Sequence, residues 1–153
     1  RIEPAATDAV LADITSTGNL VIAKDYGGNA YLPEWNFNGI GDFNFLEGYL
    51  VKVNSDVSLD VIGDFVIPEN SPLNLDAGGS IISYLRLDAV SADLIFQDLL
   101  SNNNLIIAKN NLGAAYLPEW NFNGIGNLTP GQGYQIKLNQ SAELVYFSIF
   151  DSY

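Results

Sequence analysis

The chain contains no cysteine, histidine or methionine, and only six of its 153 residues are Lys or Arg. Without cysteine there is neither a disulfide nor a thiol redox centre, and cysteine usage leaves the compartment undecided. Without histidine and cysteine the usual nucleophile–base pairs and nitrogen or sulfur metal sites are missing. Only Ser, Lys and carboxylate chemistry remains. Six basic against 18 acidic residues give a formal net charge of −12 and a pI of about 4.1. Such a surface cannot neutralise phosphates, so neither nucleic acid nor an anionic membrane is an expected partner. No run approaches 18 uninterrupted apolar residues, and no membrane insertion is expected. No basic-then-apolar leader opens the sequence, so a signal peptide is expected to have been removed or to lie outside this segment.

What is present is apolar. A hydrophobic fraction of 48% against 16% charged residues supports a real core and lies outside the range of disordered chains. The length suits one or two small domains.

Aligned with itself at an offset of 85, the sequence matches without a gap, Arg1 against Arg86 and Pro68 against Tyr153. The 68 aligned positions contain 28 identities, including the unbroken run AYLPEWNFNGIG at Ala30–Gly41 and Ala115–Gly126. Self-similarity at a fixed period marks a tandem array of one supersecondary unit. The basic residues follow the same plan in three matched pairs: Arg1 and Arg86, Lys24 and Lys109, Lys52 and Lys137.

Each copy predicts the same order of elements. A short amphipathic helix spans Thr7–Thr15 or Ser91–Leu100, with Ser91 as N-cap and Leu94, Ile95, Leu99 and Leu100 as its apolar stripe. A strand (Leu20–Lys24, Leu105–Lys109), a polar turn (Asp25–Asn29, Asn110–Ala114) and a return strand (from Ala30 or Ala115) follow. After the shared EWNFNGIG loop, Tyr49, Val51 and Val53 alternate with Leu50 and Lys52, as Tyr134, Ile136 and Leu138 alternate with Gln135 and Lys137. A last strand is expected at Val57–Ile62 and Ala142–Phe147. The fold class is therefore α+β and strand-dominated: two tandem pseudo-repeats, each a small antiparallel sheet with one short helix.

Between the copies lies a connecting segment, residues 69–85, ENSPLNLDAGGSIISYL, with a Pro-marked turn, an extended PLNL piece and an apolar strand at Ser80–Leu85. The expected domains are repeat 1 at residues 1–68, lacking its first strand, and repeat 2 at residues 69–153, which includes the segment. If Ile81, Ile82, Tyr84 and Leu85 are buried in copy two, copy one has a vacant slot for about four apolar side chains. At roughly 1.5–3 kcal/mol each this is on the order of 6–12 kcal/mol, comparable with the whole stability of a small domain. The slot is expected to be filled by residues upstream of Arg1, by the chain's own end, or by that of a neighbour. The apolar end suits pairing along an open sheet edge, which makes Ile149, Phe150 and Tyr153, with Arg1 and Ile2, the candidate assembly residues.

The segments GSIISYL (Gly79–Leu85), AKNNLGAAYLPEW and IGNLTPGQGYQIKL (Ile125–Leu138) resemble a tandem module of large secreted and surface proteins of the Bacteroidota. Gly79-Ser80 stands where that pattern has Trp-Asn, and copy one has Asn44-Phe45-Leu46-Glu47 where copy two has Thr129-Pro130-Gly131-Gln132. The resemblance implies an extracellular or cell-surface, non-catalytic module, and it brings no catalytic residues with it.

Chemistry is sparse. Glu34 and Glu119 lie beside Trp35 and Trp120, but a paired-carboxylate glycosidase needs two such groups about 5–10 Å apart, and each copy supplies one. No catalysis, cofactor or metal site is expected. The loop residues Glu34, Trp35, Asn36, Glu119, Trp120 and Asn121 have two readings. One is a glycan platform in which Trp stacks on a sugar and Asn amides bond to it. The other makes Trp35, Trp120, Phe37 and Phe122 core plugs, with Asn and Gly shaping the turns. Asp25–Asn29 and Asn102–Asn104 are oxygen-rich but fit no calcium loop. Asn127 and Asn139 begin N-glycosylation triplets. The expected function is a subunit or segment of an extracellular fibre, joined head to tail to copies of itself, with strand complementation of the first repeat. The alternatives are a glycan-binding adhesin and a passive spacer.

Overall fold

Asn and Gly turns alternating with short apolar runs lay down one series of elements twice. The computed structural model describes residues 5–147, and the chain divides into two units, Arg1–Phe65 and Val66–Tyr153. Unit 1 contains β1 (Ala5–Ala6), α1 (Thr7–Val10), α2 (Ala12–Ser16), β2 (Leu20–Lys24), β3 (Ala30–Leu32), β4 (Phe37–Asn38), β5 (Asp42–Phe43) and β6 (Leu50–Val53). Unit 2 contains β7 (Leu73–Leu75), β8 (Gly78–Ser83), β9 (Val90–Ser91), α3 (Ala92–Ile95), α4 (Gln97–Ser101), β10 (Leu105–Lys109) and β11 (Ala115–Leu117). It continues with β12 (Phe122–Asn123), β13 (Asn127–Leu128), β14 (Gly133–Leu138) and β15 (Ala142–Leu144). The strand-dominated α+β class is observed.

The helices depart from expectation in two respects. Each is broken after its first turn, at Leu11 or Phe96. The break points the largest side chain inward: Leu11 and Phe96 are fully buried, Phe96 within ring contact of Tyr116. Ala92, Ile95, Phe96 and Leu99 form the core stripe, a spacing of three to four residues. Leu94, expected in that stripe, faces solvent. Ser91 does cap: its hydroxyl accepts the Asp93 amide at 3.3 Å.

Both main sheets are antiparallel with the same register, three consecutive strands joined as hairpins and a later strand, β6 or β14, returning beside the first of them, β2 or β10. β2 pairs with β3 through Ala23–Tyr31, and β10 with β11 through Ala108–Tyr116. β2 and β10 each carry an irregularity between their first and third residues. A bulge shifts the pleat by one residue, which puts Leu20 with Ala23, and Leu105 with Ala108, on the core face. In unit 1 the core gathers Leu11, Ile14, Leu20, Ala23 and Tyr31, with Ile40, Phe43 and Val53 packed beside them. One backbone hydrogen bond then clamps the sheet end in each copy. Asn54 donates its amide to the Asn19 carbonyl, and Asn139 to that of Asn104, both at 2.9 Å.

The sheets differ in width. In unit 1 the order is β4-β3-β2-β6; in unit 2 it is β12-β11-β10-β14-β8. The fifth strand, β8, and the strand β7 both come from the connecting segment. β7 pairs with β15, matching Leu75 to Ala142 and Leu73 to Leu144. Ile81, Ile82 and Tyr84 are buried as expected, Leu85 only partly, and Leu73 and Leu75 are buried too. The strand expected at Val57–Ile62 is not formed, and 54–67 holds no strand at all. A strand needs a ladder partner for its backbone groups. In unit 2 that partner is β7, and the described part of unit 1 has no counterpart of it.

Candidate functional site

The outer edge of β6 is the largest difference between the two units. β6 pairs with β2 on one side, and no strand of the described residues pairs with its other side. Its equivalent, β14, is covered over its whole length by β8, from Gly133 opposite Ser83 to Leu138 opposite Gly78. The side chains report the same contrast. Val51, Leu59 and Val61 are 46%, 39% and 53% exposed, whereas their counterparts Ile136, Leu144 and Tyr146 are 3%, 3% and 0% exposed. Ile62 and Phe65 are exposed as well.

The β6 edge is nevertheless built. The Tyr49 hydroxyl accepts the amide of Asn44 at 2.8 Å, as that of Tyr134 accepts the amide of Thr129 at 2.8 Å. The Phe43 and Tyr49 rings meet at 4.3 Å. Asn19 accepts the amides of Asn54 and Ser55 on its side-chain oxygen at 2.9 and 2.8 Å. The edge is held at both ends, and only its outward groups lack a strand partner among the described residues.

In unit 2 the strands from the connector are tied into the core. Tyr146 meets Tyr84 edge to face at 5.4 Å, and its hydroxyl donates to the Ser83 carbonyl. Arg86, buried, donates to the Phe147 carbonyl, lies over the Phe147 ring and reaches Asp88 at 3.8 Å. Burial pushes the Tyr84 phenol up to about 12, and it raises that of Tyr146 further. Tyr116 donates to Asp93 at 2.5 Å, and burial together with that bond pushes its phenol up to about 12.

The tryptophan loops overturn one expectation. Trp35 and Trp120 are 77% and 75% exposed, and Phe37 and Phe122 stand half out of the surface, so none of the four is a core plug. The Pro-Glu-Trp turn is 3₁₀ in both units, and Asn36 and Asn121 follow in the left-handed region at φ 49° and 50°. That reversal swings the chain back so that β3–β4 and β11–β12 can pair. Each Phe ring then lies close against a glycine. A Cβ on Gly39 would fall 2.9 Å from the Phe37 ring, and one on Gly124 would fall 2.7 Å from the Ala115 carbonyl and 2.8 Å from the Phe122 ring. Glu34 and Glu119 sit in the first turn of these 3₁₀ segments. The core member of the run is Tyr31 or Tyr116 instead.

The remaining candidates are placed as follows. Asp25 accepts the backbone and side-chain amides of Asn29 at 2.8 and 2.7 Å, so its oxygens organise the hairpin turn. Asn110 does the same for Leu112 and Ala114. No cluster of three Asp or Glu able to hold a metal ion occurs among the described residues. Asn127 is exposed on β13. Asn139 is exposed too, but its side-chain amide donates to the Asn103 carbonyl at 3.1 Å. Arg1, Ile2, Ile149, Phe150 and Tyr153 lie outside the described residues. The residues that the sequence reading missed are Tyr49, Val51, Leu59 and Val61. The available signal was their alignment with four buried residues of the second copy.

No helix among the described residues is long and apolar enough to cross a membrane. No protein-family model, curated protein or solved structure matches the chain.

Proposed function

We propose that this chain is a non-enzymatic structural protein, a subunit or segment of an extracellular fibre, in which unit 1 receives a strand from a neighbouring copy. The observation that carries this reading is the bare β6 edge beside its covered equivalent β14. Unit 2 supports it: its equivalent edge carries an antiparallel strand whose apolar side chains, Ile81 and Ile82, are buried. An open edge with unpaired backbone groups and apolar neighbours is a template for another strand. Proteins that remain single copies blunt such edges with charge, proline or a cover. β6 offers one lysine, Lys52, among Leu50, Val51 and Val53. The acidic surface and the absence of histidine and cysteine agree with an assembly role rather than a catalytic one.

Sedimentation and negative-stain electron microscopy across a dilution series test the reading. The expected result is linear oligomers that persist on dilution and shorten when the β6 edge is altered. A chain that stays monomeric at high concentration sinks it, and so does assembly indifferent to that edge. The exposed Trp35 and Trp120 favour a second, compatible reading in which the loops bind a ligand such as a glycan. Loss of glycan-array signal in Trp35→Ala and Trp120→Ala chains that remain folded is its test.

A further inference from the structure

The register of β8 on β14 defines what an occupant of β6 must present. Ser80 stands opposite Ile136, Ile81 opposite Gln135 and Ile82 opposite Tyr134. Moved back by one period, these positions face Val51, Leu50 and Tyr49. The occupant therefore needs a small residue opposite Val51, then two large apolar residues in succession, one for each face of the sheet. Beside Leu50 and Tyr49 these two side chains take the roles that Ile81 and Ile82 fill when buried in unit 2.

Apart from segments already packed in the helices and sheets of their own unit, the sequence contains one other segment of this kind. The pair Ser-Ile occurs twice in the chain, at Ser80-Ile81 and Ser148-Ile149, and the pair Ser-Tyr occurs twice, at Ser83-Tyr84 and Ser152-Tyr153. SIISY at Ser80–Tyr84 and SIFDSY at Ser148–Tyr153 thus share their start and their end, with Asp151 as the one added residue. Resting on the fibre reading above, we infer that the segment Ser148–Tyr153 of a second copy is the strand that docks on β6. Ser148 then lies opposite Val51, Ile149 opposite Leu50 and Phe150 opposite Tyr49, antiparallel as β8 is to β14. Asp151 falls opposite Gly48, beyond the end of β6, where a bulge absorbs one extra residue. Tyr146 and Phe147 stay with their own unit, held by Ser83 and Arg86, so the donated piece begins at Ser148. Six residues give on the order of 20 Å of strand, enough for the three pairs formed at Val51, Leu50 and Tyr49. The role of β7 is left unfilled, and Val57–Ile62 gains no ladder partner from this segment.

The test uses full-length chains in two variants. Ile149→Asp/Phe150→Asp disables the donor, and Val51→Asp disables the acceptor. Circular dichroism checks that both fold. Each variant alone is expected to sediment as a monomer, and an equimolar mixture as a dimer that grows no further. Two synthetic peptides, SIFDSY and the segment of residues 69–85, are then added separately to the donor-disabled chain, and amide exchange is read. The expected result with SIFDSY is slowed exchange at 49–51 with none at 57–62, and with the longer peptide slowed exchange at 49–53 and at 57–62. Continued polymerisation of the donor-disabled chain, or protection by the 69–85 peptide alone, overturns the segment as occupant while leaving the open-edge reading intact. Absence of polymers in every chain, with neither peptide protecting β6, overturns both.

Discussion

Placing a copy of residues 69–85 in front of Arg1 recreates around unit 1 the context that unit 2 already has. The grafted strands fill the β7 and β8 positions, and the strand at Val57–Ile62 forms because it acquires a partner. The gain follows from the exposures. The donor's five apolar side chains, the counterparts of Leu73, Leu75, Ile81, Ile82 and Tyr84, contribute roughly 7–15 kcal/mol on burial. Ordering the nine strand residues that carry them costs about 9–18 kcal/mol, so the two nearly cancel. The surplus comes from the acceptor side. Val51, Leu59 and Val61 lose the half of their surface that is now wet, at about 1 kcal/mol each. A net gain of about 3 kcal/mol raises the melting temperature of a unit this size by roughly 12–24 °C. Calorimetry of the parent chain is expected to show two transitions, with unit 1 melting first, and the graft to bring the lower one up towards the higher. Amide exchange at 57–62 slows in parallel. An unmoved lower transition with unchanged exchange at 57–62 refutes the reasoning, because the slot would then not exist.

Gly124→Ala is expected to destabilise unit 2 by about 1–3 kcal/mol, since the new Cβ meets a backbone carbonyl that cannot step aside; denaturant titration measures it. Trp35→Ala and Trp120→Ala should each change stability by no more than about 0.5 kcal/mol, given their exposure, and in the parent chain a soluble quencher should reach both indoles. Alkaline pH should weaken unit 2. The phenols of Tyr84 and Tyr116 are raised from 10.0 to about 12, so the folded state holds their protons more tightly than the unfolded one. Their contribution is complete below about pH 10 and is lost as the pH rises towards 12. Denaturant midpoints measured from pH 9 to 12 should fall over that window, and Tyr116→Phe should flatten the slope.

Much of this fold was legible because its code is local. The Asn and Gly turns, the alternation at Tyr134–Leu138 and the Ser91 cap each depend on neighbours within a few residues, and all are found. Phe96 and Leu94 exchange roles because a break after one helical turn rotates the apolar stripe, and nothing in a helical pattern announces that break. Val57–Ile62 reads as a strand by composition, yet a strand is a relation between two segments, and the described residues of unit 1 hold no counterpart of β7. The exposed tryptophans misled for a similar reason. Large aromatics belong in cores on average, but the left-handed Asn and the glycine under each Phe ring turn this loop outward. Self-alignment carried the site better than any motif, because it set each half-exposed residue of unit 1 beside its buried twin.

In the proposed fibre, docking at the β6 edge also fixes a valence. A chain that accepts one strand and donates one has a functionality of two, so its contacts are heterologous and growth runs in a line without branches. Such a line has a direction, because one end always shows an empty β6 and the other an unused donor. Chain ends, rather than chain sides, then control length. A copy without its donor segment stops growth at one end, and a copy with β6 already covered stops it at the other.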